Sequence, residues 1–162
     1  MSSSEPFHIR QLCANDLSLM EGLLTTFGEA FNEVETYGSS RPSTAYLKRL
    51  LSSQCFIALA ALKNDVVVGG IAAYELQKFE QERSEIYIYD LAVAAAHRRE
   101  GIATALIEQL KQIAIARSAY VIFVQADIGD DPAIALYTKL GTREDVLHFD
   151  ISVAPHNDNA PL

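Results

Sequence analysis

The stretch Leu91-Ala-Val-Ala-Ala-Ala-His-Arg-Arg-Glu-Gly-Ile-Ala-Thr104 decides how this chain folds, because a buried strand ends in it and a helix begins. Between the two lies a short basic turn that contains Gly101. Such a turn presents free backbone N–H groups, and the positive end of the helix dipole, to an anion. Gly101 allows a close approach that a Cβ atom would block. The stretch therefore predicts an anion site, and the alternative is a basic surface turn that contains a glycine.

Apolar patterning on both sides of this turn predicts an α+β fold with a mixed sheet. A helix begins at Leu17, with Asn15 or Asp16 as its cap, and the nearly continuous apolar strand before the turn is typical of a sheet centre. The predicted strands are Phe7–Leu12, Phe56–Leu62, Val66–Leu76, Ile86–Val93, Tyr120–Ala126 and Glu144–Ile151. The other predicted elements are a break over Thr36–Pro42, an Asn64-Asp65 hairpin, a helix that begins at Ser43 or Thr44 and runs through Leu51, and helices over Ile102–Arg117 and Pro132–Leu140.

Composition limits the partners of this 162-residue chain. Its net charge is −8, and 49% of its residues are apolar, which is enough for one buried core. The acidic balance argues against nucleic acids and anionic membranes, because phosphate contacts need clustered Lys and Arg, and it suits a cationic partner. No stretch approaches the roughly 20 apolar residues of a membrane span, and Met1–Pro6 lacks the features of a secretory signal. We therefore expect a cytoplasmic protein with a single domain over residues 1–151 and a poorly ordered tail over residues 152–162.

Neither the cysteines nor the histidines indicate a metal site or a disulfide framework. Cys13 and Cys55 lie far apart without CxxC spacing, which predicts two small buried apolar residues in a reducing compartment. His97 and His148 have no partners at metal-ligand spacing and are predicted to be structural or surface groups. The sequence therefore predicts no metal.

Carboxylates are the candidates for binding a cation. Asp90 interrupts an apolar strand, where carboxylates are rarely buried unless they are paired or functional. The alternative for Asp90 is a carboxylate satisfied by local backbone N–H groups. Asp127, Asp130 and Asp131 lie within five residues, where like charges repel unless a cation or hydrogen-bond donors offset them. Asp131 is predicted to cap the following helix, whereas Asp130 is open to either role.

Two motifs resemble the GNAT N-acetyltransferase superfamily. Arg98-x-x-Gly101-x-Ala103 resembles its Q/R-x-x-G-x-G/A signature, and Ala133-Ile-Ala-Leu-Tyr137-Thr-Lys-Leu-Gly141 resembles its A-x-x-L-Y-x-K-L-G helix. Over about Phe56–Ile151 the chain also resembles the aminoglycoside 3-N-acetyltransferases. The stretches that carry this second resemblance are Ser84–Val93, His97–Leu106, Tyr120–Asp127, Gly129–Ala133 and His148–Asp150.

The resemblance implies a GNAT fold with a mixed, mostly antiparallel sheet that is flanked by helices and splayed between its fourth and fifth strands. It implies direct transfer of acetyl from acetyl-CoA, a co-substrate, to the 3-amino group of the 2-deoxystreptamine ring of gentamicin-like antibiotics. The antibiotic and CoA are then the partners, no metal is needed, and the compartment is the bacterial cytoplasm. Dimers are common in this superfamily, so a homodimer follows by analogy only.

For acetyl-CoA, the resemblance implies binding along the splay and the basic turn. Backbone groups of Leu91 and Val93 would pair with the pantetheine arm, and one N–H group there would stabilise the oxyanion. Tyr137 occupies the position of a tyrosine that can protonate the departing thiolate, and the alternative is a tyrosine that only packs the last helix. The diphosphate would be held by Arg98, Arg99, Gly101, Ala103 and Thr104.

For the antibiotic, the resemblance gives the carboxylates a role. An amine bound as its ammonium must lose a proton before it attacks, so Asp90 is predicted to bind the amine and to be the candidate general base. Alternatively, Asp90 orients the ammonium while a water takes the proton, because an amine held against a carboxylate favours the charged form of both. Asp127 and Asp130 would hold further ammonium groups.

A second acidic group lies where the first two helices meet, the region that shapes the acceptor cleft in this fold. Each residue alone is typical of a solvated helix face. As a group they would extend the acidic lining of the cleft that binds the antibiotic. The members are Glu29, Glu33, Glu35 and Tyr37, of which Glu33 and Tyr37 are the candidate substrate contacts.

Two other functions fit the same residues. A GNAT enzyme that acts on another polyamine, such as spermidine, would share the acidic site. A non-catalytic acyl-CoA-binding sensor would bind CoA and release no thiol with any amine. The presence of both Asp90 and Tyr137 argues against the sensor.

Overall fold

A computed structural model describes residues 6–153 of the chain. The chain divides into two compact units, with the boundary between Gln125 and Ala126. Met1–Glu5 and Ala154–Leu162 lie outside the described residues, so the predictions for the N-terminal segment and for most of the tail fall there. Within residues 6–153, no helix is both long enough and apolar enough to cross a bilayer.

The first unit builds a five-stranded sheet in the order β1-β2-β3-β4-β5. The strands are β1 (His8–Gln11), β2 (Phe56–Lys63), β3 (Val66–Gln77), β4 (Ser84–Val93) and β5 (Ala119–Val124). Its helices are α1 (Leu17–Ala30), α2 (Val34–Gly38), α3 (Thr44–Ser52) and α4 (Ile102–Ala116), with a 3₁₀ turn over Ala95–His97. Neighbouring strands are antiparallel except β4 and β5, which run parallel and are joined through α4. The predicted mixed, mostly antiparallel sheet flanked by helices is confirmed.

Both faces of β2 and of the middle of β3 are buried, as the apolar runs in these two strands require. Alternate residues of β2, such as Phe56 and Ala58, pack with Leu23 and Phe27 of α1 in one cluster that also includes residues of α3. The residues between them, such as Ile57, are fully buried and point to the opposite face, where α4 lies. The sheet thus separates the α1 and α3 layer from the α4 layer.

The predicted hairpin between β2 and β3 is confirmed. Asn64 and Asp65 have φ angles of 47° and 63°. Two successive residues with positive φ make the tight loop whose twist matches the flanking antiparallel strands, and Asn and Asp tolerate that conformation better than most residues.

The helices of the first unit depart from prediction in two places. Asp16 does precede α1, but its carboxylate makes no cap bond to the helix and instead accepts hydrogen bonds from the Cys13 N–H at 2.9 Å and from Arg10 at 2.6 Å. The predicted break over Thr36–Pro42 is also wrong in part, because α2 runs to Gly38. By contrast, α3 begins as predicted, with the Ser43 side chain accepting the Tyr46 N–H at 3.2 Å.

The run Tyr120–Ala126 predicts another buried strand, and the predicted burial is wrong. Tyr120 and Val121 of β5 are 48% and 39% exposed. The physical reason is that β5 is an edge strand that pairs only with β4 in the described sheet, so an apolar run there is not enclosed on both sides.

The prediction of two buried cysteines is also wrong. Cys13 and Cys55 are both exposed free thiols. Cys13 follows β1 in a loop, and Cys55 lies in the turn that leads into β2, so neither belongs to an element that faces the core.

The second unit contains α5 (Asp131–Leu140). Its cap is Asp130, whose carboxylate accepts the Ala133 N–H at 3.3 Å, and the predicted cap Asp131 is instead the first helical residue. The predicted strand Glu144–Ile151 is not formed: these residues are exposed and join no ladder among the described residues, and a strand requires a hydrogen-bonded neighbour. The single domain over residues 1–151 stays a prediction.

Candidate active site

A β-bulge in β4 sets the direction of the Asp90 side chain. Ala72 of β3 pairs with Asp90 and Ala73 pairs with Ile88, so Tyr89 is an extra residue in β4. Ile88 before the bulge is buried, whereas Ala92 beyond it belongs to the cluster on the α1 face. Since a bulge reverses the alternation of side chains, Asp90 leaves the face of Ile88 and points toward α1 and α2.

The half-buried carboxylate of Asp90 meets the hydroxyl of Tyr37. Tyr37 lies in α2 and donates a hydrogen bond of 2.8 Å to Asp90 Oδ2. The two residues are 53 positions apart in the chain, so the fold creates this contact. The Asp90 carboxylate therefore accepts its hydrogen bond from a side chain. Among the described residues no backbone N–H group donates to it, contrary to the predicted alternative.

Aromatic packing fixes the Tyr37 ring. Its centroid lies 6.2 Å from that of Phe27 and 6.0 Å from that of Phe31. A Cβ atom on Gly28 would come within 3.0 Å of the Tyr37 Cβ, so a glycine is what lets α2 lie this close to α1. The ring is consequently confined and its hydroxyl is aimed at Asp90.

Arg41, which no sequence pattern singled out, ties α2 to α1. Its Nε donates to the Tyr37 carbonyl at 2.7 Å, and its other nitrogens donate to the Glu21 carbonyl at 2.9 Å and to Thr25 Oγ1 at 2.8 Å. It also forms an ion pair with the Glu21 carboxylate. Arg41 therefore anchors the residue that contacts Asp90.

The electrostatics of the pair follow from burial and one neighbouring charge. Burial raises the pKa of Asp90, the Tyr37 hydrogen bond lowers it, and the negative charge of Glu33 raises it, so that the net pKa lies above the ordinary value. Burial and the adjacent Asp90 also raise the pKa of Tyr37 above its ordinary value, so this phenol remains a donor at neutral pH. Glu33 itself is exposed and precedes α2.

A row of aromatic rings lies beside Asp90. Successive ring centroids are 6.0 Å apart for Tyr74 and Tyr89, 5.9 Å for Tyr89 and Tyr87, and 4.8 Å for Tyr87 and Phe123. Tyr89 is 63% exposed. This row offers an apolar, electron-rich surface on which a cationic or sugar-like ligand can lie.

The predicted anion turn leads into α4, whose N-terminus has no side-chain cap. Gly101 precedes α4 with φ 81°, no side chain caps the helix, and a Cβ atom at Gly101 would meet open space. The first intrahelical bond, from Ala105 N–H to the Gly101 carbonyl, leaves the preceding amides without an intrahelical acceptor, including those of the predicted ligands Ala103 and Thr104. Arg99 has φ 63° and is exposed. These features fit a diphosphate.

The predicted splay is present between β4 and β5. Their pairing ends at Ile88 and Val124, so Tyr89–Val93 has no strand partner on that side within the described sheet. The open edge contains Leu91 and Val93, and it leads to the basic turn. In this structure the Val93 carbonyl accepts a weak hydrogen bond of 3.4 Å from Arg98 Nε.

Three predicted site residues lie in the second unit. Asp127 is exposed in the turn before α5, Asp130 caps that helix, and Tyr137 lies within it. Burial and the negative charge of Asp130 raise the pKa of Tyr137 to about 12, so the phenol keeps its proton at neutral pH and is a weak acid.

No group of His, Cys, Asp and Glu residues among positions 6–153 has the geometry to hold a metal ion.

The fold, the splay and the uncapped turn define an acetyltransferase of the GNAT class. Residues 20–142 match the model of the Acetyltransferase (GNAT) family, and the chain belongs to that family. It is an acetyl-CoA-dependent N-acetyltransferase.

Comparison with solved structures shows which acetyltransferases this chain is similar to. The chain is 68% identical to an aminoglycoside acetyltransferase from an uncultured soil metagenomic sample, with a TM-score of 0.90 over 92% of this chain and 99% of that one. A second aminoglycoside acetyltransferase from an uncultured soil metagenomic sample, in complex with sisomicin, is 32% identical with a TM-score of 0.84 over 91% and 97% of the two chains. A ribosomal-protein-alanine N-acetyltransferase from Brucella melitensis biovar Abortus 2308 shares the fold at 24% identity, with a TM-score of 0.72 over 92% and 100%. Curated protein sequences give no match to the chain.

Proposed function

We propose that this protein acetylates the 3-amino group of the 2-deoxystreptamine ring of gentamicin-like aminoglycosides, and so confers resistance to them. The observation that carries the proposal is the half-buried Asp90, aimed by the β4 bulge and bonded to Tyr37, beside the open edge of β4. The 68% identity to an aminoglycoside acetyltransferase supports the same substrate class. The net charge of −8 suits a polycationic antibiotic.

Acetyl-CoA supplies the activated acetyl group in this proposal. Arg98 and Arg99, with Gly101 and the amides of Ala103 and Thr104, hold its diphosphate, because they form a basic turn ahead of an uncapped helix. Backbone groups of Leu91 and Val93 on the open edge pair with the pantetheine arm.

Asp90 binds the reacting amine and draws off its proton, directly or through a water. Tyr37 keeps the carboxylate in place, and Glu33 adds a second negative charge for another ammonium group. The free amine then forms a C–N bond as the thioester C–S bond breaks, and the second proton of its nitrogen passes to the departing sulfur, which leaves as the CoA thiol. Tyr137 donates a hydrogen bond to the departing thiolate, and Asp127 and Asp130 hold ammonium groups farther along the antibiotic.

The test is acetylation of a panel that contains gentamicin, sisomicin and spermidine, with CoA release measured for each amine. The proposal expects release with the aminoglycosides, one added acetyl group by mass spectrometry, and NMR placement of that group on the 3-amino nitrogen. Acetylation of a different nitrogen contradicts the position. Turnover of spermidine alone indicates a polyamine enzyme, and tight CoA binding without release for any amine indicates a sensor.

The proposal extends to the quaternary structure and the compartment. A homodimer in the bacterial cytoplasm follows from the superfamily analogy. Light scattering after gel filtration distinguishes a dimer from a monomer.

Direct transfer predicts that the cysteines are dispensable. Cys13 and Cys55 are exposed and lie apart from Asp90 and the basic turn in sequence, so the double variant Cys13→Ser/Cys55→Ser is expected to keep kcat within about twofold, the scale of ordinary surface substitutions. Steady-state kinetics on gentamicin measure this value. Loss of turnover with intact CoA binding would indicate an acetyl-cysteine intermediate.

The turn predicts a specific loss of CoA affinity when Gly101 gains a side chain. Gly101→Ala places a Cβ atom where the diphosphate approaches and strains a residue with φ 81°, so the Kd for CoA is expected to rise about tenfold. Gly129→Ala is the matched control, because Gly129 has φ 98° and its Cβ position is also open. Calorimetry of both variants decides: equal CoA affinities would place the diphosphate elsewhere.

A further inference from the structure

A buried lysine at the end of β2 contacts the basic turn that precedes α4. Lys63, the last residue of β2, is 7% exposed. It lies on the same face of β2 as Ile57 and Ala61, which is the face that α4 covers. Its Nζ forms an ion pair and a hydrogen bond with the Glu100 carboxylate, 37 positions away. Lysine is rarely this buried unless it is paired, and nothing in the mechanism above uses it.

Glu100 carries a negative charge at the place where the turn must accept an anion. It stands between Arg99 and Gly101, which both have positive φ angles. The hydrogen bond from Lys63 is the main cause that lowers the pKa of Glu100, so the carboxylate is ionised at neutral pH. His97 Nδ1 lies 3.6 Å from the other carboxylate oxygen and has no hydrogen-bond partner within the described residues. Unopposed, this charge would repel a diphosphate.

We infer that Lys63 is a positioning residue for acetyl-CoA: it neutralises Glu100 and holds that carboxylate back from the diphosphate. The inference rests on the proposed diphosphate site at the turn. It predicts opposite effects for the two partners of one ion pair, which a purely structural contact does not.

The test is the Kd of CoA, measured by calorimetry on the full chain. Lys63→Met leaves Glu100 uncompensated and is expected to weaken CoA binding about tenfold, whereas Glu100→Gln is expected to bind CoA at least as tightly as the wild type. Lys63→Arg keeps the charge and is expected to restore affinity to within about threefold. The double variant Lys63→Met/Glu100→Gln removes both charges and is also expected to bind CoA with a Kd within about threefold of the wild type.

An ion pair within α4 provides the control. Lys111 and Glu108 of α4 form an exposed ion pair at 2.9 Å, and Lys111→Met is expected to leave the Kd for CoA unchanged. Equal weakening by Lys63→Met and Glu100→Gln, or no weakening by a folded Lys63→Met, would overturn the inference. If Lys63→Met does not fold, Glu100→Gln decides, because weaker CoA binding by that variant contradicts the inference. Failure of the diphosphate site itself would show separately, as unchanged affinity in Gly101→Ala.

Discussion

Asp90→Asn is expected to lower kcat for gentamicin by about 10³-fold while the affinity for acetyl-CoA stays nearly unchanged, because the amide neither attracts an ammonium nor accepts its proton. The shape of the side chain is preserved, and the Tyr37 hydroxyl can still donate to the amide oxygen. The loss therefore reports the charge of Asp90 rather than its packing. Steady-state kinetics with gentamicin and calorimetry with CoA measure the two quantities.

Asp145→Asn is the control for this substitution. Asp145 is exposed in the second unit, where it pairs with Arg143, and removal of its charge is expected to leave kcat unchanged. Normal turnover by Asp90→Asn would refute the assignment of Asp90 as the amine-binding carboxylate. A parallel loss of CoA affinity would indicate that the substitution disturbs β4 instead.

Tyr37→Phe is expected to lower kcat/KM about 30-fold at acidic pH and to move the acid limb of its pH profile upward. Tyr37 donates to the carboxylate at 2.8 Å, a bond that stabilises the ionised form of Asp90. Loss of a hydrogen bond to a charged group costs about 1.5–3 kcal/mol, which sets the size of the effect. Since the pKa of Asp90 is already raised, a further rise leaves less of it ionised at any acidic pH.

Glu33→Gln is expected to shift the same limb in the opposite direction. The charge of Glu33 raises the pKa of Asp90, so its removal lowers that pKa and moves the acid limb to lower pH. Tyr120→Phe is the matched control for Tyr37→Phe, because Tyr120 also donates to a carboxylate, that of Glu85, at 3.0 Å near the opposite end of β4. Shifts of the same sign for Tyr37→Phe and Glu33→Gln would contradict the electrostatic account of the site.

Local signals led to those members of the candidate site that stand out within a few residues of the chain. The apolar run before the basic turn predicted a central strand, and Asp90 was found because a lone carboxylate interrupts that run. Gly101 was found because a glycine between a basic turn and the start of a helix is typical of an anion site. In each case the chemistry lies within a few residues of the chain, where spacing is informative.

Long-range contacts set the limit of prediction. Tyr37 meets Asp90 across 53 residues, and Lys63 meets Glu100 across 37, so no local pattern links them. The bulge at Tyr89 was also invisible, because strict alternation from Ile88 would send Asp90 into the α4 face. Lys63 directly precedes the Asn64-Asp65 turn, where a charged residue is ordinary, so its burial had no local signal.

The two exposed thiols matter for anyone who follows turnover with a disulfide reagent. Such a reagent counts every free coenzyme thiol that the reaction liberates, and it also titrates Cys13 and Cys55 on each chain, which adds a background proportional to protein concentration. The double serine variant removes that background. Each single-cysteine variant, in turn, carries one attachment point for a fluorophore, either ahead of α1 or at the start of β2.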